Sequence, residues 1–290
     1  MEQINAEVFV TVASMGSYRK AADELGYTQA GISYIINAME EKCGFKLFER
    51  EYGGVRLTAE GEELLPVMKR LFHTEKDVDA KINDIRGLET GHIRLISFNT
   101  AIVCLLPDVL MEFREQYPNI DIEVLACDNP KKAVSMISNG DADCAFIALA
   151  EADGIEMIKL REEPDVVVVS ENHPLANKKE CRFSDLEQYP FIGNPEEEDP
   201  YVYDMARKLG IKFNQIMTTN NDYGSFSMIS KNLGFGIYPK IMAEKCTFPV
   251  VGVPIKKGYK TPFSIGIRSY KSISLAAKKF VDYAVQKLQQ

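Results

Sequence analysis

The chain has 290 residues, 26% of them charged, and a formal net charge of −8. That length calls for two or three compact units rather than one small domain, and the acidic balance argues against a generic nucleic-acid coat or a binder of anionic membranes. No apolar run reaches membrane-spanning length and no basic segment with an apolar stretch opens the sequence, so a cytoplasmic location without a membrane partner is expected.

Apolar Ile4, Val8, Phe9 and Val12 mark an amphipathic helix over 2–13. Gly16 ends it and Ser17 caps a second helix, about 18–25, which buries Ala21, Ala22 and Leu25. Gly26 supplies a tight turn, and Thr28 caps a third helix over about 29–41 with Ile32, Ile36 and Met39 inward. Two short helices, a glycine turn and a third helix with a polar outer face form a helix-turn-helix. Phe45 and Leu47-Phe48 suit a strand, Glu51-Tyr52-Gly53-Gly54 a turn and Val55-Arg56-Leu57 a returning strand, which makes a wing. From Thr58 to about Arg86, Leu64, Met68, Leu71, Glu75, Val78, Ile82 and Ile85 recur at steps of four and three, the seam of a coiled coil between two copies. A long helix packed on its own domain is the alternative.

Gly87 and Gly91 frame a linker. Strands at 93–98, 120–126, 144–149 and 166–170 then alternate with helices at 101–116 and 129–138. Helices near 200–209 and 223–232 alternate with strands near 213–218, 234–238, 249–253 and 262–268, before a final helix over 271–288. This alternation implies a mainly parallel, helix-covered α/β sheet in two lobes.

The third helix carries groups suited to reading DNA. Gln29 can bond adenine bidentately through its amide, and Ser33 faces the same way one turn on. Thr28 sits where a hydroxyl and free amides suit phosphate, although it caps the helix equally well without DNA. Arg50 and Arg56 flank the wing, and Arg19 with Lys20 opens the second helix, all placed for backbone phosphates, though Arg56 would serve equally as a solvated strand residue. Residues 1–60 nevertheless hold six basic and nine acidic side chains, so positive charge has to be concentrated locally.

Gly16-Ser17-Tyr18, Ala21-Ala22, Gln29-x-x-Ile32-Ser33, Gly44-x-x-Leu47-Phe48-x-Arg50 and Leu57-Thr58-x-x-Gly61 resemble, in order and spacing, the LysR-type transcriptional regulator family. Beyond residue 90, Gly140-Asp141-Ala142-Asp143, His173-Pro174-Leu175-Ala176 and Gly234-Phe235-Gly236-Ile237-Tyr238-Pro239 resemble family landmarks. The resemblance implies a winged helix-turn-helix over 1–58, a dimerising linker helix over 59–90 and an α/β effector domain over 91–290 similar to type 2 periplasmic binding proteins. Lobe I would take about 91–160 and 268–290, and lobe II about 161–267. It implies a sequence-specific DNA-binding regulator, a homodimer or homotetramer, with double-stranded operator DNA and a small-molecule effector as partners and RNA polymerase as a further candidate. Two departures stand out: Tyr34 occupies a position where the family often has arginine, as does the wing with Glu51 and Tyr52 where basic residues are common. A shallow salt dependence of DNA binding follows.

In open α/β sheets ligands bind beyond the carboxyl ends of strands. The junction at Ser97, Asn99 and Thr100 offers hydroxyls, an amide and free N–H groups suited to an anion, with Thr100 also a candidate helix cap. By analogy with the family, Cys127, Asp128 and Ala148 join it, while Gly193, Asn194, Thr219 and Asn221 face from the other lobe. Asp128 would repel an anion or bond a cationic or hydroxylated ligand, so the effector is bounded only as small, polar and organic. No cofactor or metal is indicated: His73, His92 and His173 lack partners at ligand spacing and read as surface residues. The six cysteines, Cys43, Cys104, Cys127, Cys144, Cys181 and Cys246, read as small buried hydrophobes, with a redox-sensing regulator using a pair such as Cys104 and Cys127 as an alternative. Catalytic motifs of the G-x-S-x-G, H-E-x-x-H and P-loop kinds are lacking, so no catalytic residues are assigned and an enzyme is not expected. A solute-binding protein without DNA function is the remaining alternative, and the lack of an export signal counts against it.

Overall fold

The computed structural model describes residues 4–85 and 90–289. Arg86 and Gly87, where the sequence pattern ends the linker helix, lie outside these residues, as does the side chain of Ile85. Two compact units divide near residue 88.

In the first unit α1 (Ala6–Met15) is capped by Asn5, whose Oδ1 accepts from the Val8 amide at 2.9 Å. Gly16, at φ +60°, ends it. Ser17 caps α2 (Tyr18–Leu25), and Thr28 caps α3 (Gln29–Cys43) by accepting from the Gly31 amide at 3.0 Å. Phe9, Val12, Ala21, Ala22, Ile32, Ile36 and Leu47 form a core without solvent access or nearly so. The hairpin β1 (Phe48–Glu51) and β2 (Gly54–Leu57) pairs antiparallel from Phe48↔Leu57 to Glu51↔Gly54, with Tyr52 and Gly53 at its tip. The strand begins after Leu47 because Glu40, buried at the end of α3, accepts from the amides of Leu47 and Phe48 at 2.9 and 3.2 Å.

Two glycines let this unit close. A Cβ on Gly54 would overlap the Gly16 carbonyl oxygen, and one on Gly61 would overlap that of Leu47. The Leu57-Thr58-x-x-Gly61 motif therefore has a packing reason. Thr58 Oγ1 donates to the Lys46 carbonyl at 2.7 Å and accepts from the Gly61 amide at 3.0 Å, locking the wing to the start of α4 (Ala59–Ile85). Alanine at either glycine is expected to cost roughly 1–3 kcal/mol, read as a lower denaturation midpoint of the helix-turn-helix unit. On α4, Met68 is buried and Leu64 partly buried in the core of this unit. The expected seam between copies is thus corrected at its start: those two side chains are spent on α1–α3. Leu71, Val78 and Ile82 remain exposed.

The second unit holds a seven-stranded sheet in the order β10-β6-β11-β5-β3-β4, with β9 also on β6. Its strands are β3 (Gly91–Ser97), β4 (Ile120–Ala126), β5 (Cys144–Ile147), β6 (Glu156–Ser170), β9 (Gly236–Pro239), β10 (Val250–Pro254) and β11 (Lys260–Ile267). Only β3–β4 and β3–β5 are parallel among these described pairings; β11–β5, β11–β6, β10–β6 and β9–β6 are antiparallel. The mainly parallel sheet expected from the sequence is corrected to a mixed one. The cause is β6, a 15-residue strand of which the apolar run 166–170 is only the buried end. Its first part alternates charged and apolar side chains and pairs with β11 from Glu156↔Ile267 to Pro164↔Lys260. These two strands run together from one lobe to the other. Ser264–Ile267 of β11 also pairs with β5, so this end of the strand belongs with lobe I, not with the lobe II range that reaches 267.

The helix expected over 101–116 is two, α5 (Asn99–Cys104) and α6 (Leu106–Gln116), separated at Leu105 with Pro107 in the first turn of α6. Helix α7 (Pro130–Asn139) precedes β5. The second lobe contains the parallel pair β7 (Pro190–Gly193) and β8 (Asn214–Thr218), with α8 (Pro200–Leu209), α9 (Asp222–Ser230) and α10 (Lys240–Lys245). Helix α11 (Leu275–Leu288) returns to pack Phe280 edge-on against Phe113. His173 is a correction: it is buried, stacks edge-on near Tyr189 and accepts from the Leu175 amide through Nδ1 at 3.2 Å, and burial holds its pKa below the usual value. No described helix is long and apolar enough to cross a membrane.

Candidate functional site

The first unit presents one basic concavity. Ser17, Arg19 and Lys20 from the start of α2, Gln29 from the start of α3, and Arg50 with Gly53 and Gly54 from the wing line it. Arg19, Gln29 and Arg50 are thereby brought together, and Lys20 joins them. Thr28 borders the same helix end; its oxygen accepts from Gly31, which leaves the hydroxyl proton for an outward partner. Ser33 is half-buried one turn on, and Tyr34 is exposed. Arg56 is placed otherwise: its Nε lies 2.8 Å from Glu49 and 2.7 Å from Glu51, so its charge is compensated within the wing.

The second unit has a cleft of about 590 Å³. Asn99, Cys127 and Asp128 line one side, Asn221, Asp222 and Tyr223 the other, and Phe226 and Phe248 give it apolar walls. A smaller chamber of about 70 Å³ shares Asp128, Glu198 and Asp222 with it and adds Thr100, Ala148, Asn194, Asp165, Asp199 and Tyr238. Seven of the ten sequence-derived effector residues thus line one or the other space. Ser97, Gly193 and Thr219 line neither. Ser97 is fully buried and donates to the Phe98 carbonyl at 3.1 Å. Gly193 is a buried strand residue whose carbonyl accepts from the Thr219 amide at 3.1 Å, and Thr219 Oγ1 accepts from the Asn221 amide at 3.2 Å. These three shape the walls from behind.

The strand-to-helix junction is already filled by the protein's own carboxylate. Asp128 Oδ1 accepts from the Asn99 amide at 2.8 Å and Oδ2 from Asn99 Nδ2 at 2.5 Å. The expectation of an external anion there is corrected for that reason. Thr100 lies inside α5, which Phe98 precedes as cap residue, so the capping role is corrected as well. Burial pushes the Asp165 carboxyl up to about 8 against a hydrogen bond donated by Thr261 at 2.7 Å. Burial pushes Asp199 up to about 7, and burial with the nearby Asp128 charge pushes Asp222 up to about 7. Asp128 and Glu198 are raised too, chiefly by burial.

Two family descriptions cover the chain: a bacterial regulatory helix-turn-helix protein of the lysR family over residues 5–62, and a LysR substrate binding domain over residues 86–289. The chain belongs to the LysR family. It is similar to the HTH-type transcriptional regulator YvbU of Bacillus subtilis, 29% identical with 96% of each chain covered. It is likewise similar to the HTH-type transcriptional activator CmpR of Synechocystis, 26% identical with 96% of this chain and 92% of that one covered. Among solved structures, full-length CbnR complexed with its target DNA superposes with a TM-score of 0.70 at 21% identity, over 97% of this chain and 98% of that one.

This LysR protein is therefore a DNA-binding transcriptional regulator with a substrate-binding domain for an effector. Several residues of its cleft escape a reading of the sequence. Asp165 sits mid-strand in a charged segment, and Asp222 looks like an ordinary first-turn acid behind the cap Asn221. The acidic run 196–199 just before Pro200 was the available signal for Glu198 and Asp199. Tyr238 belongs to the Gly234–Pro239 landmark but only folding reveals that it faces acids. Burial works against the pair Cys104 and Cys127 as a redox sensor. Burial raises the thiol pKa of Cys104 and Cys181 to about 11 and raises Cys127, Cys144 and Cys246 as well, opposite to the thiolate a peroxide sensor needs. Cys104 Sγ approaches Met242 Sδ at 3.8 Å.

Proposed function

We propose that this regulator binds operator DNA as a dimer or tetramer, reads bases with Gln29 and Ser33, and is switched by a small polar organic effector held in the cleft around Asp128. The observation that carries the DNA half is the convergence of Arg19, Lys20, Gln29 and Arg50 on one concave face beside the exposed start of α3. Arg19, Arg50 and Thr28 hold phosphates, Tyr34 packs on the sugar-phosphate edge, and Arg56 contributes only when its acidic partners yield. The protein acts in the cytoplasm, with promoter DNA and RNA polymerase as macromolecular partners. Domains run over 1–58, 59–90 and 91–290. The effector's leverage on DNA binding equals its differential affinity for the two conformations it connects. Fluorescence anisotropy with DNA from upstream of the gene tests the reading: affinity equal to that for scrambled duplex under every condition removes it.

Two further outcomes follow from the same geometry. Exposed Leu71, Val78 and Ile82 on α4 are proposed to pair with a second copy. Val78→Glu with Ile82→Glu should weaken self-association at least tenfold in sedimentation velocity, leaving the thermal transition of the effector domain in place. In the wing, Glu49→Gln with Glu51→Gln should release Arg56. Nonspecific DNA affinity is then expected to rise and its log–log salt slope to steepen by about 0.9 per subunit. An unchanged slope would show that Arg56 points away from phosphate.

A further inference from the structure

We propose that the effector of this cleft is an organic cation, whose ammonium head enters the chamber between Asp128, Asp165, Asp199 and Asp222 and whose body lies beside Phe226 and Phe248. The proposal rests on the effector reading of the cleft and adds the charge class of the ligand.

Three observations carry it. The chamber borders five carboxyl groups, and no lysine, arginine or histidine is among its described lining residues. The amide donors around it are committed: Asn99, on the wall of the wider cleft, serves Asp128 with its backbone and side chain, and Asn194 Nδ2 in the chamber faces Asp222 at 3.4 Å. Its acceptors are not. Glu198 Oε2 and Asn194 Oδ1 are buried without a hydrogen-bond partner. Most tellingly, Tyr238 lines the chamber with 6% of its surface exposed, and its hydroxyl has no hydrogen-bond partner. The buried Ser225 hydroxyl lies toward the phenol as a weak hydrogen-bond neighbour, without the geometry of a full hydrogen bond, and has no other partner. Unsatisfied buried acceptors are costly, and an ammonium supplies three donors and a compensating charge. A carboxylate ligand would add a further anion and leave the same acceptors empty.

Size and spacing narrow the class. About 70 Å³ holds roughly two water volumes, enough for an ammonium and its first methylene. No group of three or more acidic, histidine or cysteine side chains among the described residues is arranged to hold a metal ion. The dispersed acceptors therefore suit a head group with several diverging N–H bonds, with the remainder of the molecule in the 590 Å³ cleft. Lys132 and Lys245 border that wider space, away from the chamber's lining.

The carboxyls influence one another from several elements. Asp165 feels Thr261, Glu163 and Asp199; Asp199 feels Asp128; Asp222 feels Asp128, Asn194, Asp199 and Glu198; and the Tyr259 phenol feels Asp165 and Asp199. Glu198 feels Asp128, Glu197, a hydrogen bond from Asn220 and the cationic Lys132 of the wider cleft; the other charges named here are acidic, so an entering cation displaces protons and binds more tightly as pH rises from 6 to 8.

The test uses the full-length chain with butylamine, 1,4-diaminobutane and 1,5-diaminopentane as cations and succinate and glutarate as anions, at pH 6 and pH 8. Melting temperature, calorimetry and alkylation of Cys127 followed by mass spectrometry are read together. At least one amine should raise the melting temperature saturably, protect Cys127 and bind at least tenfold more tightly at pH 8. Asp199→Asn with Asp222→Asn should weaken that amine at least tenfold; Lys208→Met, exposed in the last turn of α8 and lining neither space, should not. Failure of every amine to protect overturns the proposal, as does amine binding unchanged in the double variant. If the dicarboxylates protect Cys127 instead, the cleft remains the effector site and the charge assignment alone falls. If neither series protects it, both readings fall.

Discussion

Alanine at both Gln29 and Ser33 is expected to lower operator affinity by about 10- to 100-fold, corresponding to the ~1–3 kcal/mol of a good bidentate base contact. Affinity for scrambled duplex should stay where it was. The reason lies in what each residue does for the fold, which is little. The cap of α3 is Thr28, and its buried face is Ile32, Ile36 and Met39. Gln29 is exposed and Ser33 half-buried at the helix edge, so neither substitution opens a cavity. Arg50→Ala is the contrasting variant. Its side chain lies on the wing beside Arg19 and Lys20 and carries charge but no base recognition. Its loss should weaken binding to every sequence alike and reduce the salt slope by about 1. Anisotropy titrations of both variants on both duplexes, with circular dichroism to confirm helix content, separate the two roles. Equal losses on operator and scrambled DNA in the double variant would remove base reading from these positions.

How much of this was legible in the sequence depends on how local the causes are. Caps and glycines act over three or four residues, so Ser17, Thr28, Gly16 and Gly26 announce α1 to α3 with little ambiguity. The linker helix was legible as a helix but not as to which side chains it spends. Met68 and Leu71 follow the same periodicity, and only the packing of α1 onto α4 distinguishes the buried one from the exposed one. The sheet was harder. A strand that leaves one lobe and enters another is half-exposed over much of its length, so β6 shows an apolar run only at its far end. The cleft was partly readable because ligands favour the ends of parallel strands, which drew attention to Asn99, Cys127 and Asp128. It was not readable that Asp128 would turn inward and occupy the Asn99 amide, since that contact joins residues 29 apart. Nor do composition or spacing bring Asp165, Asp199 and Asp222 together; three separate elements deliver them to one chamber.

That convergence has a consequence for stability. The melting temperature of the ligand-free effector domain, followed in the intact chain, will fall as pH rises from about 5 to about 8. Asp165 holds its proton to about 8, and Asp199 and Asp222 hold theirs to about 7, against an ordinary value of 3.8. Between those limits the folded state binds protons that the unfolded chain has released, so raising the pH favours unfolding. Below the unfolded value the three groups are neutral in both states and contribute no such penalty; above the folded values it is fully expressed. The carboxylates that work the other way do so elsewhere on the scale. Glu112, Glu156 and Glu162 have lowered values set chiefly by hydrogen bonds, and their contribution is already complete above the ordinary 4.5. His173, held below 6.5 by burial, adds stability as pH rises toward that value and so blunts the early part of the decline. Repulsion between two of these carboxylates is a single energy shared by both, so the combined cost lies below the sum of three separate shifts, on the order of a few kcal/mol, or roughly 5–10 °C in a chain of this size. Asp199→Asn with Asp222→Asn should flatten the profile and raise the melting temperature at pH 8 above that of the parent. A parent profile that is flat or rising between pH 6.5 and 8 would mean that water or a rearranged loop hydrates these carboxyls, and that the chamber is open in the free protein.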